Sequence, residues 1–166
     1  MEIFYYTGLK KIYFQKIINE IINIASLRKR KKILDFGCGS KQLQKTLKKK
    51  IINYDKNKSI SDYKDYKQLK FDVAVFNHVL MYMSESEINK TLRNLKIKNK
   101  QSKIVIGISR VNLISKIASF LTLSFFAHSN IVSKPSDQKK IIFKHLNLIR
   151  KKNIFFMTDI YYLKFK

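Results

Sequence analysis

The sequence predicts a single α/β domain built on a mostly parallel sheet with helices on both faces. Three observations carry this. Short apolar runs rich in β-branched and aromatic residues alternate with longer segments of helical periodicity. The chain has one proline and four glycines, which leaves few breakers between elements. At 166 residues with 45% hydrophobic content, it is long enough for one modest core and too apolar for a disordered chain.

In chain order, residues 8–28 read as a helix, with Ile12, Ile17, Ile18, Ile21, Ile22 and Ile24 mostly on one face. Residues 31–36 are a short strand. A helix over about 41–49 follows, with Ser40 as its cap and Leu43 and Leu47 four apart. "IINY" (51–54) is a second strand. Residues 56–70 are polar and loop-rich, with room for one very short strand. "FDVAVFNHV" (71–79) is a buried strand.

Ser84 and Glu87 have the spacing of a capping box, so a helix runs from there to about 97. "KIVIGIS" (103–109) is another buried strand. Residues 112–127 read as a strongly apolar helix. Pro135 precedes Ser136, read as the cap of a helix to about 149. "NIFFMT" and "IYYLKFK" close the chain as two strands. The total is six strands, or seven if the 56–70 segment supplies one. No internal repeat or linker divides residues 1–166, with 1–30 as an N-terminal helical cap.

Composition narrows the function classes. A single cysteine excludes an intrachain disulfide and a cysteine-rich zinc cluster, and fits a reducing, cytoplasmic setting. No metal site is expected. The early acid and scattered charges of "MEIFYYTGLKKIYFQK" do not read as a signal peptide, and the longest apolar run is too short to span a bilayer. The net charge of +24 raises a nucleic-acid reading. Its lysines are spread along the chain, and Lys, Ile, Asn, Phe and Tyr, all with A/T-rich codons, are abundant. Codon bias therefore accounts for the charge at least as well, and nucleic acid is not the favoured partner.

The stretch "KKILDFGCGSKQLQKTL" (31–47) places Gly37 and Gly39 in the turn after the first strand. In an open α/β sheet, that turn is a ligand cradle, because glycine lets a ligand approach the backbone. A dinucleotide fingerprint needs a third glycine three residues on, where this chain has Gln42. Asp35 would also repel a pyrophosphate but suits an ammonium group. A second acid, Asp55, ends the second strand, where a carboxylate can accept ribose hydroxyls.

Taken together, "ILDFGCGS", "IINYD" and "FDVAVFNHVLMYM" resemble the class I S-adenosylmethionine-dependent methyltransferases over residues 31–109. The resemblance implies their Rossmann-like fold, with the last strand antiparallel, and S-adenosyl-L-methionine as cofactor. It places Asp35, Gly37 and Gly39 at the methionine end and Asp55 on the ribose. Asp65 lies near the adenine, with Asp62 as its rival. Asn77 and His78 stand where methyl group and acceptor meet. His128, after the apolar helix, is a second candidate base beside His78. Cys38 reads as a packing residue and His145 as a partly exposed helix residue.

Two departures from the family pattern stand out. Lys41 occupies a common glycine position, and the span from Asp55 to Phe71 is short for a helix and strand. The aromatic-flanked motif of amino-group nucleic-acid methyltransferases is replaced by "NHVL", which is closer to enzymes acting on small molecules or lipid precursors. The acceptor is therefore expected to be a small or lipid-like molecule, with residues 110–130 as pocket wall or lid and Phe4, Tyr5 and Tyr6 over the cofactor. Peripheral membrane contact remains open. So do an RNA methyltransferase using the basic surface and a non-catalytic binding protein of the same fold.

Overall fold

The computed structural model describes residues 8–110 and 131–166. Its elements are α1 (Gly8–Ile24), β1 (Ile33–Phe36), α2 (Gln42–Leu47), β2 (Ile52–Tyr54) and β3 (Val73–Asn77), then α3 (Glu85–Asn99), β4 (Lys103–Ser109), α4 (Pro135–His145), β5 (Leu146–Ile154) and β6 (Thr158–Phe165). The expected helix over 112–127, and Phe4, Tyr5, Tyr6 and His128, lie outside the described residues.

The strands form one six-stranded sheet in the order β2-β1-β3-β4-β6-β5. β1 pairs in parallel with β2 and β3, and β3 with β4. β6 runs antiparallel to both β4 and β5. β5 therefore points the same way as β1 to β4, and their carboxyl ends share one edge with the start of β6.

Strand alternation sends successive side chains to opposite layers. Leu34, Phe36, Phe76, Ile104 and Ile106 pack with Ile88, Leu92 and Leu95 of α3 and Ile141 and Ile142 of α4. On the other face, Ile33, Val73, Val75 and Val105 meet Ile17, Ile18, Ile21 and Ile22 of α1 and Leu43 and Leu47 of α2. Both faces are covered, as the unbroken burial of β1 and the near-complete burial of β3 require. Among the described residues no helix is long and apolar enough to cross a membrane.

Several expected boundaries are corrected. Residues 56–70 do not supply a seventh strand. In its place they fold through turns closed by their own side chains: Asn57 accepts from the Ser59 N–H, Ser61 from Tyr63 and Asp65 from Lys67. Ser40 does not cap α2. The N-cap is Lys41, whose backbone is left-handed at φ +58°. Ser136 does not cap α4, since Lys134 is the N-cap and Pro135 opens the helix. That helix stops at His145, and β5 begins at the next residue. In "NIFFMT", Asn153 and Ile154 end β5 and Thr158 opens β6, with the turn at 155–157 between them. By contrast, the Ser84–Glu87 capping box forms in both directions, and β4 spans the expected Lys103–Ser109.

Candidate active site

β1 delivers Asp35 into the interior. The carboxylate is 4% exposed and borders a void of about 130 Å³ with Ile18, Ile21, Ser40 and Gln42. Burial, reinforced by the charge of Asp55, pushes its carboxyl up to about 7. The chain then turns sharply. Gly37 has φ +78°, and a Cβ there would overlap the Val79 side chain. Gly39 has φ +45° with open space where a Cβ would stand. So Gly37 is required by packing, while Gly39 leaves its backbone open to a ligand.

The end of β2 holds this turn in place. The N–H groups of Gly37 and Cys38 donate to the Tyr54 carbonyl at 2.8 and 3.1 Å. The Gly39 N–H donates to Asp55 Oδ2 at 3.1 Å, while Oδ1 accepts from the Asn57 N–H at 2.9 Å. Cys38 is buried, and burial followed by Asp35 and Asp55 pushes its thiol up to about 12. It remains a protonated packing residue.

Lys41 closes the turn through its backbone, its N–H donating to the Cys38 carbonyl at 2.8 Å. Its Nζ pairs with Asp62 Oδ1 at 2.7 Å, and Asp62 also accepts from Asn53 Nδ2 at 2.8 Å. Lys41 holds the Asp62 carboxyl below its usual range. Asp62 is thus a brace for β2 and the following loop, and does not line the groove beside the turn. Asp65 does line it, exposed at its rim and accepting from the Lys67 N–H.

That groove has a volume of about 770 Å³ and runs from Gly37, Gly39 and Asp55 to Asp65, Asn77 and His78. Phe36, Tyr54 and Tyr66 form an aromatic wall beside it, with ring centroids 4.9–5.2 Å apart. Asn77 borders both the groove and the void at Asp35. Its Oδ1 is buried with no hydrogen-bond partner among the described residues, a state it shares with Asn53 Oδ1.

His78 follows in a left-handed conformation, φ +57°. Strain of this kind in a non-glycine residue collects at functional sites. Its Nδ1 lies 3.3 Å from Ser109 Oγ and its Nε2 3.2 Å from Thr158 Oγ1. Thr158 in turn lies 2.6 Å from the Tyr13 hydroxyl. His78 and Ser109 also border a small apolar cavity of about 80 Å³ with Met81, Ile131 and Gln138. The sequence reading missed Tyr13, Ser109 and Thr158. They come from α1, β4 and β6, and only the tertiary fold brings them to one histidine. His145 lies apart, with Nε2 2.8 Å from Asn89 Oδ1.

The structure therefore brings Asp35, Gly37, Gly39, Asp55, Asp65, Asn77 and His78 to one edge of the sheet. No family model matches the sequence. A search of the curated proteins finds no match either. Solved structures do match in shape. The PH0226 protein from Pyrococcus horikoshii OT3 superposes with a TM-score of 0.68 at 13% identity, covering 98% of this chain and 95% of that one. Magnesium protoporphyrin IX methyltransferase from Synechocystis PCC 6803, crystallised with S-adenosylhomocysteine, gives 0.62 at 16% identity over 97% and 91%. The N-methyltransferase NodS from Bradyrhizobium japonicum gives 0.64 at 13% identity over 92% and 96%. By its sheet order and these superpositions, the chain has the Rossmann-like fold of the class I S-adenosylmethionine-dependent methyltransferases.

Proposed function

We propose that the protein is an S-adenosylmethionine-dependent methyltransferase acting on a small or lipid-like acceptor. The observation that carries this reading is the clasp between the glycine turn and Asp55, set beside the buried Asp35. Burial disfavours the charged form of Asp35, and a cationic partner such as an ammonium group would restore it, while the open backbone at Gly39 is suited to a flat or bulky neighbour. Asn77 borders both voids. These residues fit S-adenosylmethionine: Asp35, Gly37 and Gly39 would hold its methionine end, Asp55 its ribose, and Asp65 with the aromatic wall its adenine.

When bound, the cofactor supplies an electrophilic methyl carbon on a sulfonium. The chain's contribution is alignment and proton removal. His78 is the group to take a proton from an acceptor hydroxyl or amine, on the ring nitrogen from which the acceptor displaces the Ser109 or Thr158 hydroxyl while the other hydroxyl holds the ring. His128 is a second candidate for that role. We place the acceptor against the cavity beside His78, with residues 1–30 as the cap and 110–130 as the remaining wall. A small-molecule acceptor is also what one structural neighbour is named for, the magnesium protoporphyrin IX methyltransferase.

Thermal unfolding with added nucleotides tests the reading. S-adenosylhomocysteine should raise Tm in a concentration-dependent way, because a ligand that binds only the folded state stabilises it by mass action. NAD should leave Tm unchanged. A shift with NAD alone would overturn the reading.

A further inference from the structure

Asp159 lies near the start of β6, and it is 1% exposed. Two neutral donors already serve its carboxylate. Asn153 Nδ2 donates to Oδ1 at 3.0 Å, and the Tyr161 hydroxyl donates to Oδ2 at 3.1 Å. Three cations crowd the same group. Lys151 Nζ lies 3.4 Å from Oδ1, and Lys139 Nζ and Arg110 Nε lie 3.5 and 3.9 Å from Oδ2. A charge-assisted hydrogen bond closes to about 2.7–2.9 Å, so none of the three is in tight contact. Their side chains are 35–45% exposed, and they keep N–H groups for another partner.

One cation would neutralise the buried acid. Three leave two positive charges in excess, held close enough to repel one another. The sequence supplies little to balance them. Between Gln101 and Lys166 the only acidic side chains are Asp137 and Asp159, and Asp137 accepts from the Ser136 hydroxyl in the first turn of α4. A lysine-rich composition spreads charge over a surface. It does not aim an arginine after β4, a lysine of α4 and a lysine of β5 at one point. That point adjoins the small cavity at His78. Ile108, which lines the cavity, is the sheet partner of Asp159, and opposed residues of antiparallel strands share a face about 5 Å apart. Ser109 and Gln138 also line it, and Arg110 and Lys139 follow them in the chain.

We propose that Arg110, Lys139 and Lys151 form a seat for a doubly charged oxyanion, and that it anchors a phosphate monoester carried by the acceptor. The excess of two positive charges matches a dianion. The arginine fork and two ammonium groups suit the several oxygens of a phosphate. The ester's apolar part then enters the cavity, against Met81, Ile108 and Ile131. The seat itself does not depend on methyl transfer; its use for the acceptor rests on that reading.

Thermal unfolding with inorganic phosphate tests the seat, at about pH 8 so that phosphate is mostly doubly charged, against chloride at matched ionic strength. Phosphate also stabilises folded proteins by exclusion from their surface, so variants decide the matter. Lys139→Gln and Lys151→Gln each leave two cations on Asp159. Lys98→Gln removes an exposed lysine of α3 and controls for bulk charge. Wild type and Lys98→Gln should show the same saturable rise in Tm. Lys139→Gln and Lys151→Gln should need about threefold to tenfold more phosphate, and Lys139→Arg should respond as wild type does. Equal shifts in all variants would overturn the proposal, leaving bulk charge and surface exclusion. So would a rise in wild type that never saturates. Phenyl phosphate, whose ring can enter the cavity, should saturate at a lower concentration than inorganic phosphate; an equal or higher one would overturn the placement of the ester. S-adenosylhomocysteine and phosphate shifts should add, whereas a phosphate shift abolished by S-adenosylhomocysteine would overturn the seat and move the anion into the cofactor cradle. Saturable phosphate binding without any S-adenosylhomocysteine shift would uphold the seat and contradict its use for a methyl acceptor, so the two readings fail separately.

Discussion

The Gly39 N–H donates to Asp55 Oδ2 at 3.1 Å, tying the turn after β1 to the end of β2. Asp55 Oδ1 accepts from Asn57, so the same carboxylate also anchors the start of the following loop. Asp55 therefore has a structural role besides its proposed contact with ribose. Asp55→Ala should lower stability by about 1–3 kcal/mol in denaturant unfolding, through loss of hydrogen bonds to a charged group. Asp55→Asn, which keeps one acceptor oxygen, should lose less.

Asp35 should make stability depend on pH with a definite sign. Its folded carboxyl titrates at about 7; an unfolded aspartate titrates at about 3.9. Between these values the folded state holds the extra proton, so Asp35 contributes most below pH ~4 and its contribution falls as pH rises toward 7. Asp35→Asn should remove this slope and stabilise the free protein above pH 7 by up to about 4 kcal/mol. The same variant should bind S-adenosylhomocysteine more weakly, because a neutral amide does not pair with its ammonium group. Wild-type affinity should rise with pH through 7. Chemical unfolding across pH 5–9 checks the first claim, and calorimetry over the same range the second.

The two glycines of the turn should respond differently to alanine. At Gly37 the added methyl meets Val79 in a left-handed backbone, so Gly37→Ala combines overpacking with strain and should cost about 2–4 kcal/mol. At Gly39 only the strain remains, about 1 kcal/mol, because the space is open. Gly39→Ala should nonetheless weaken S-adenosylhomocysteine binding, because the methyl intrudes where the ligand is proposed to lie. Unfolding midpoints and titrations on both variants separate packing from ligand contact.

Lys48 closes α2 in a left-handed conformation, φ +53°, with its N–H donating to the Gln44 carbonyl at 3.0 Å. This is a helix ending that glycine favours. Lys48→Gly should raise stability by about 0.5–1 kcal/mol, read as an increase in Tm, and leave cofactor binding unchanged.

These strained positions also mark where the sequence could and could not be read. β1, β3 and β4 were legible because buried strands of a covered sheet are continuous apolar runs. Asp35, Gly37, Gly39 and Asp55 could be picked out because they lie on or just past two strands that follow each other in the sequence and pair in the sheet, although the hydrogen bond from Gly39 to Asp55 was not foreseen. Lys41, Lys48, Phe155 and Phe156 conceal turns, because none is a residue that announces positive φ. The end of α4 was illegible for another reason. "IIFKHLNLI" suits either period, and residues 146–149 become strand only because β6, which closes the chain, pairs with them. The hydroxyls around His78 lie 31 and 80 residues from it, beyond the reach of any local pattern.

The most direct test of the central claim is a calorimetric titration of S-adenosylhomocysteine into wild type and Asp55→Asn. The account predicts saturable one-to-one binding to wild type and a loss of about 1–3 kcal/mol in the variant, from a weakened charge-assisted bond to ribose. Binding of equal strength to both would contradict the assigned role of Asp55. No heat with wild type, under conditions where the protein is folded, would contradict the cofactor site itself.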